Sequence, residues 1–140
     1  MTDDELSRRL VRDAADAIIA ADEQGRIRLW NTGAERIFGY TAAEVLNRSL
    51  DCIIPEKQRT PHWDGYRRVM ATGTSRYGAG ELLAVPALRK DGTRISIEFT
   101  ITMVRDDAGR PTYLVAIVRD VTARWQRERE IQARLRALEP

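Results

Sequence analysis

One cysteine and one histidine in 140 residues exclude several kinds of chemistry at the outset. Cys52 alone forms no intrachain disulfide, which suggests a reducing compartment. A single thiol and a single imidazole make neither a zinc cluster nor a Cys-x-x-Cys redox pair. No apolar run approaches the roughly 20 residues that a membrane-spanning helix needs. There is no large excess of one charge either: 23 basic side chains face 21 acidic ones, for a net charge of +2. The densest basic region, Arg119 to Arg136, is interleaved with Asp120, Glu128 and Glu130. It therefore reads as solvated helix surface and not as a phosphate-binding stripe. The opening Met1-Thr-Asp-Asp-Glu5 is acidic and polar, unlike a secretory leader. These absences predict a cytoplasmic protein with neither nucleic acid nor membrane among its partners. Enzyme signatures are also missing. Gly78-Ala-Gly80 has neither the lysine nor the spacing of a phosphate loop, Asp106 and Asp107 fall in a turn, and no length is left for a kinase or cyclase domain. The expectation is therefore not an enzyme, with no catalytic residue assigned.

What is present is an ordinary globular composition, 43% hydrophobic and 31% charged, in a chain sized for one core. From Thr93 to Val104 the residues alternate, with Ile95, Ile97, Phe99, Ile101 and Met103 on one face and Arg94, Ser96, Glu98, Thr100 and Thr102 on the other. That pattern predicts a half-buried strand. After the polar break 105–111, the run Thr112 to Val118 has the β-branched and aromatic content of a second strand, so the two make an antiparallel hairpin. A hairpin is not stable alone. Ala17–Ala21 and Arg26–Asn31 predict another hairpin around the turn 22–25. Ser75 to Leu88 predicts a fifth strand, which Gly78, Gly80 and Pro86 would make bulged or edge-lying.

Helical signals fill the remainder. Leu6, Leu10, Val11 and Ala14 are spaced for an amphipathic N-terminal helix over residues 1–16. Asn31-Thr32 caps a short helix ending at Gly39. Thr41-Ala-Ala-Glu44 is a capping box opening another. Thr60-Pro61 predicts the start of a longer helix, His62 to Ala71, stopped by Thr72-Gly73. The run 123–140 predicts a C-terminal helix with Trp125, Ile131, Leu135 and Leu138 among charges. Its apolar stripe is short enough that pairing with the same helix or the N-terminal helix of a second chain is the expected use, with a frayed end as the alternative. The whole is an α+β layer of five strands with a helical cover on one face.

Several segments in order resemble the PAS sensory domains: Ala20-Ala-Asp-Glu-Gln-Gly-Arg-Ile27 with Trp30-Asn31, Ala34-Glu-Arg-Ile-Phe-Gly-Tyr40 with Glu44-Val45, Ile54-Pro55, Arg89-Lys-Asp-Gly92 and Val118-Arg-Asp-Val-Thr122. The resemblance implies a PAS core over 17–122, a five-stranded antiparallel sheet enclosing a pocket with its helices. It also implies a role in sensing, homodimerisation through the terminal helices and signal transfer to a downstream protein.

The resemblance further implies a cofactor site. The heme-binding, oxygen-sensing members carry a histidine eleven residues before the glycine that ends this helix, and His62 to Gly73 has the same spacing. His62 is thus the expected metal ligand for heme b, with Tyr66 and Val69 on its helix face. The arginine that touches oxygen in some of those relatives finds Leu82 or Leu83 here. An apolar distal side of Leu82, Leu83, Val85, Ile101 and Val115 follows, so carbon monoxide, nitric oxide or redox sensing fits as well as oxygen. In the flavin-binding light sensors the reactive cysteine position corresponds to Leu50, with Cys52 two residues away, which argues against cysteinyl-flavin chemistry and leaves noncovalent flavin open. The competing class is an interaction scaffold without heme, its pocket empty or holding a small organic ligand. Trp30, Trp63 and Trp125 are candidates either for ligand stacking or for packing.

Overall fold

The computed structural model describes residues 1–75, 78 and 80–140. In chain order they form α1 (Asp3–Asp13), β1 (Ala17–Ala21), β2 (Ile27–Trp30), α2 (Thr32–Phe38), α3 (Ala42–Val45), a 3-10 turn (Leu50–Ile53), α4 (Glu56–Thr72), β3 (Leu83–Leu88), β4 (Arg94–Arg105), β5 (Pro111–Asp120) and α5 (Thr122–Ala137). The strands pair antiparallel throughout in the order β2-β1-β5-β4-β3. This is the α+β layer that the alternation predicts.

Register decides which side chains meet. Directly opposed residues share a face, and the pairs Ala17↔Val118, Phe99↔Val118, Ile97↔Val85 and Ile95↔Ala87 define the inner one. Ala34, Ile37 and Phe38 of α2 cover its β1 side together with Val45 and Ile53. Trp30 belongs to this core: its ring lies 5.5 Å from that of Phe38, and its Nε1 donates to the Tyr40 carbonyl at 3.0 Å. Packing, not ligand stacking, is its role.

The helix ends follow the local chemistry. Thr41 and Glu44 form the capping box, Asn31 caps α2 and Gly39 closes it in the left-handed conformation. A second capping box, Thr2 with Glu5, opens α1. Asn31 does more than cap. Its Oδ1 accepts from the amides of Ile18 (2.8 Å) and Ala34 (2.9 Å), while its Nδ2 donates to the carbonyls of Val11 (2.8 Å) and Asp16 (3.0 Å). One buried side chain thus fastens the exit of α1 to β1 and α2.

Two boundaries differ from expectation. The long helix starts six residues earlier than His62, at Glu56, and Pro61 lies inside it. Pro55 occupies the cap position, and Arg59 stabilises the added turn by donating to the carbonyls of Ile54 (3.0 Å) and Asp51 (3.3 Å). The fifth strand is shorter, beginning at Leu83 instead of Ser75, and part of the expected span, residues 76, 77 and 79, lies outside the described residues. Among the described residues no helix is long and apolar enough to cross a membrane.

Candidate functional site

The site is built on α4. One turn of this helix sets His62, Trp63 and Tyr66 against one another, the His62 ring centroid 4.6 Å from Trp63 and 5.8 Å from Tyr66. Trp63 Nε1 donates to Asp51 Oδ1 at 2.6 Å, and the Tyr66 hydroxyl donates to the Asp22 carbonyl at 2.5 Å. The first bond ties α4 to the 3-10 turn and the second to the β1–β2 turn. Gly25 in that turn is required by the contact: its φ is +78°, and a Cβ there would lie 2.1 Å from a Trp63 ring carbon.

His62 is half-buried and makes no hydrogen bond among the described residues. Its Nδ1 is enclosed without a partner. Burial lowers the imidazole's pKa below its ordinary value, with nearby Asp51 pulling more weakly the other way, so the ring is held neutral. Burial likewise raises the Tyr66 phenol and the Cys52 thiol, which keeps both protonated.

The inner face of the sheet is well buried at Ile95 and Ile97 but only half-buried at Leu83, Phe99, Ile101 and Met103, and Val85 is 41% exposed. The cause is coverage. Among the described residues α4 makes no broad backbone contact with the sheet, so the β3–β4 end of the inner wall is apolar and open. A cleft of about 380 Å³ lies at this end, lined by Leu83, Ile101, Met103, Arg105, Glu81 and the residues just after α4. That volume falls at the small end of ligand pockets. Arg105 bridges the mouth, donating to the carbonyls of Gly73 and Gly109.

The expected site residues are thus only partly together. Leu83 and Ile101 line the cleft, and Val85 shares their face. Val69 is half-buried on α4, while Tyr66 is buried with its hydroxyl spent on Asp22. Leu82 lies before β3 and is 59% exposed. Val115 sits on the outer face, opposed to Thr102, whereas Ala116 is the β5 residue opposite Ile101. Its placement in the pocket is therefore corrected: the run 112–118 is apolar on both faces, and pairing, not alternation, settles which side faces in. Phe99 and Met103 join the wall that the prediction left to Ile101. His62 lines neither this cleft nor a second one near Arg119.

Two features suit a planar apolar cofactor held by a histidine nitrogen, although His62 itself does not line the cleft. The imidazole is neutral and uncommitted, and the apolar wall lacks a cover. The fit lacks the hydrogen-bond partner that usually orients a ligating histidine through its other nitrogen.

The model of the PAS fold family matches residues 5–121. The chain belongs to the PAS family. It is 30% identical over 125 residues, 89% of its length, to the sensor protein FixL of Bradyrhizobium diazoefficiens. It is 28% identical over 104 residues, 74% of its length, to the oxygen sensor protein DosP of Escherichia coli. The chain spans 24% and 13% of those two proteins. Among solved structures, an RNA-binding light-oxygen-voltage receptor superposes with a TM-score of 0.75 at 28% identity, covering 96% of this chain and 37% of that one. The chain is a PAS sensory domain.

Proposed function

We propose that this PAS domain is a heme-based sensor of a gas or of redox state, with His62 as the proximal iron ligand. The observation that carries the reading is the half-buried, neutral imidazole without hydrogen bonds among the described residues, in a fold whose inner wall is apolar and open at its β3–β4 end. Similarity to an oxygen sensor supports the same class of signal. Heme b supplies, when bound, an iron whose open position takes a diatomic gas or whose oxidation state changes. Leu83, Val85, Phe99, Ile101 and Met103 would offer it an apolar wall, with Arg105 at the cleft already bonded to the Gly73 and Gly109 carbonyls, so carbon monoxide, nitric oxide or redox sensing fits alongside oxygen.

Relay to the ends of the chain rests on two anchored joints. α4 holds the 3-10 turn through Trp63–Asp51 and the β1–β2 turn through Tyr66–Asp22. The first turn of α5 is held on β4: Val121 N donates to the Ser96 carbonyl at 2.9 Å, Ser96 N donates to Thr122 Oγ1 at 3.0 Å, and Arg124 pairs with Glu98. Pocket occupancy shifts the balance between two arrangements of these joints. Exposed Leu6 and Leu10 on α1 and Ile131 and Leu135 on α5 support pairing of the terminal helices in a cytoplasmic homodimer that acts on a separate signalling protein, with no enzymatic activity in this domain.

A second reading has its own support. Val104, Tyr113 and Ile117 form an exposed apolar strip on the outer sheet face, as an interaction scaffold without heme would require. Hemin titration separates the two. One saturable equivalent per chain, with a Soret band lost or shifted in His62→Ala, supports the sensor; no saturable binding leaves the scaffold.

A further inference from the structure

Away from α4, a surface groove of about 390 Å³ brings three guanidinium groups together from separate parts of the fold: Arg36 on α2, Arg89 just after β3 and Arg119 on β5. Its other polar groups are the Ala15 carbonyl and the carboxylates of Asp16 and Asp120. The hydrogen bonds show which charges are spent. Arg119 Nε donates to Asp16 Oδ2 at 3.0 Å, a neutral pair. Asp120 Oδ1 accepts from the amide of Thr122 (2.9 Å) and from its hydroxyl (2.6 Å). Arg36 donates to the Ala15 carbonyl at 2.5 Å and forms no ion pair among the described residues. Arg89 is half-buried; among the described residues its guanidinium makes no hydrogen bond or ion pair, and the carboxylate that feels its charge is Asp91, two residues on in the exposed turn.

We propose that this groove is an effector site for a small oxyanion, a phosphate- or carboxylate-bearing solute bound by Arg89 and Arg36 with Arg119 at its edge. Planar guanidinium forks match oxyanions in a bidentate manner. Three guanidinium groups against the two carboxylates of the lining leave the groove cationic. Its position gives binding a consequence. Residues 14–16 are the connection from α1 to β1, and Asp120 ends β5 immediately before α5. An oxyanion on Arg119 competes with Asp16, releasing one of the ties on α1 at the junction where both terminal helices enter the core. The groove shares no lining residue with the cleft below α4, and the proposal is independent of heme.

The test is a titration of the full ¹⁵N-labelled chain, at constant ionic strength, with inorganic pyrophosphate and separately with citrate, followed by amide chemical shifts. The expected result is saturable shifts confined to residues 15–16, 36, 89 and 119–120. Affinity falls at least about tenfold in Arg89→Ala, as expected for one lost charge-assisted contact, and is unchanged in Arg134→Ala on α5. Because the Arg89 side chain has no hydrogen bond to lose among the described residues and Asp91 is exposed, its variant should unfold at nearly the same urea concentration as the wild type. Saturation by pyrophosphate alone identifies a phosphate ligand, by citrate alone a carboxylate, and by both a general oxyanion site. Shifts that stay linear, spread over surface arginines or persist in Arg89→Ala overturn the proposal.

Discussion

Replacing Asn31 by alanine removes the polar joint between α1, β1 and α2, and the cost can be assembled from its bonds. Loss of the α2 cap on the Ala34 amide costs about 1 kcal/mol. The Ile18 amide loses its side-chain acceptor in a part-buried position, which adds about 1–3 kcal/mol. The carbonyls of Val11 and Asp16 belong to half-buried residues and can recover water, so they add little. The nearby Arg119–Asp16 pair, with the arginine 73% exposed, offsets about 0.2–1 kcal/mol at most. The expected loss is therefore about 2–4 kcal/mol, a large share of the roughly 5–15 kcal/mol that holds a domain folded. Urea unfolding followed by circular dichroism measures it. Asn31→Asp divides the effect: it keeps the two acceptor bonds but sets a carboxylate against the Val11 and Asp16 carbonyls, so α2 stays capped while α1 is released. Hydrogen exchange should then quicken in α1 alone. An alanine variant within about 0.5 kcal/mol of wild type, or α1 protection unchanged in the aspartate variant, would refute the assignment of Asn31 as this joint.

Gly25→Ala should cost about 2–3 kcal/mol through its positive φ and the clash with Trp63. The clash part should vanish when Trp63 is also made alanine, a non-additivity that a double-mutant unfolding cycle reads directly. Lys90, donating to Glu44 at 2.5 Å, is the main cause that holds this carboxylate at about 2, below its ordinary 4.5, with the Thr41 amide contributing next. Because the folded value is the lower one, the associated stability is present above about pH 4.5 and is lost as pH falls through about 2. Lys90→Met should flatten the stability profile across that window. Arg124→Ala should leave the core within about 1 kcal/mol of wild type, since the pair lies near the surface, yet raise hydrogen exchange in the first turn of α5; unchanged exchange there would remove Arg124 from the joint.

Much of the sheet was legible because β4 alternates cleanly, and the alternation of Ile95, Ile97 and Phe99 matches the face that packs. β5 was legible as a strand but not in its orientation. Tyr113 to Val118 is apolar at every position, so only pairing with β4 shows that Val115 faces out and Ala116 in. The start of α4 misled for a local reason: Thr60-Pro61 has the form of a helix opening, whereas Pro55 followed by Glu56-Lys-Gln-Arg59 offers an earlier one fixed by Arg59 on the carbonyls of Asp51 and Ile54. Asn31 was readable as a cap through its near neighbour Ala34. Its bonds to Val11 and Asp16 join residues 20 and 15 positions away, and no short-range pattern announces them. His62 was found by spacing to Gly73, but its enclosure with Trp63 and Tyr66 became visible only in three dimensions.

The most direct test of the account is the optical spectrum of the ferrous protein in His62→Gly, loaded with heme and recorded with and without free imidazole beside the wild type. The account predicts one histidine-ligated heme per wild-type chain, its spectrum altered in the glycine variant and restored when imidazole occupies the vacated space. A wild type that holds no heme, or a glycine variant with the wild-type spectrum before imidazole is added, would contradict it.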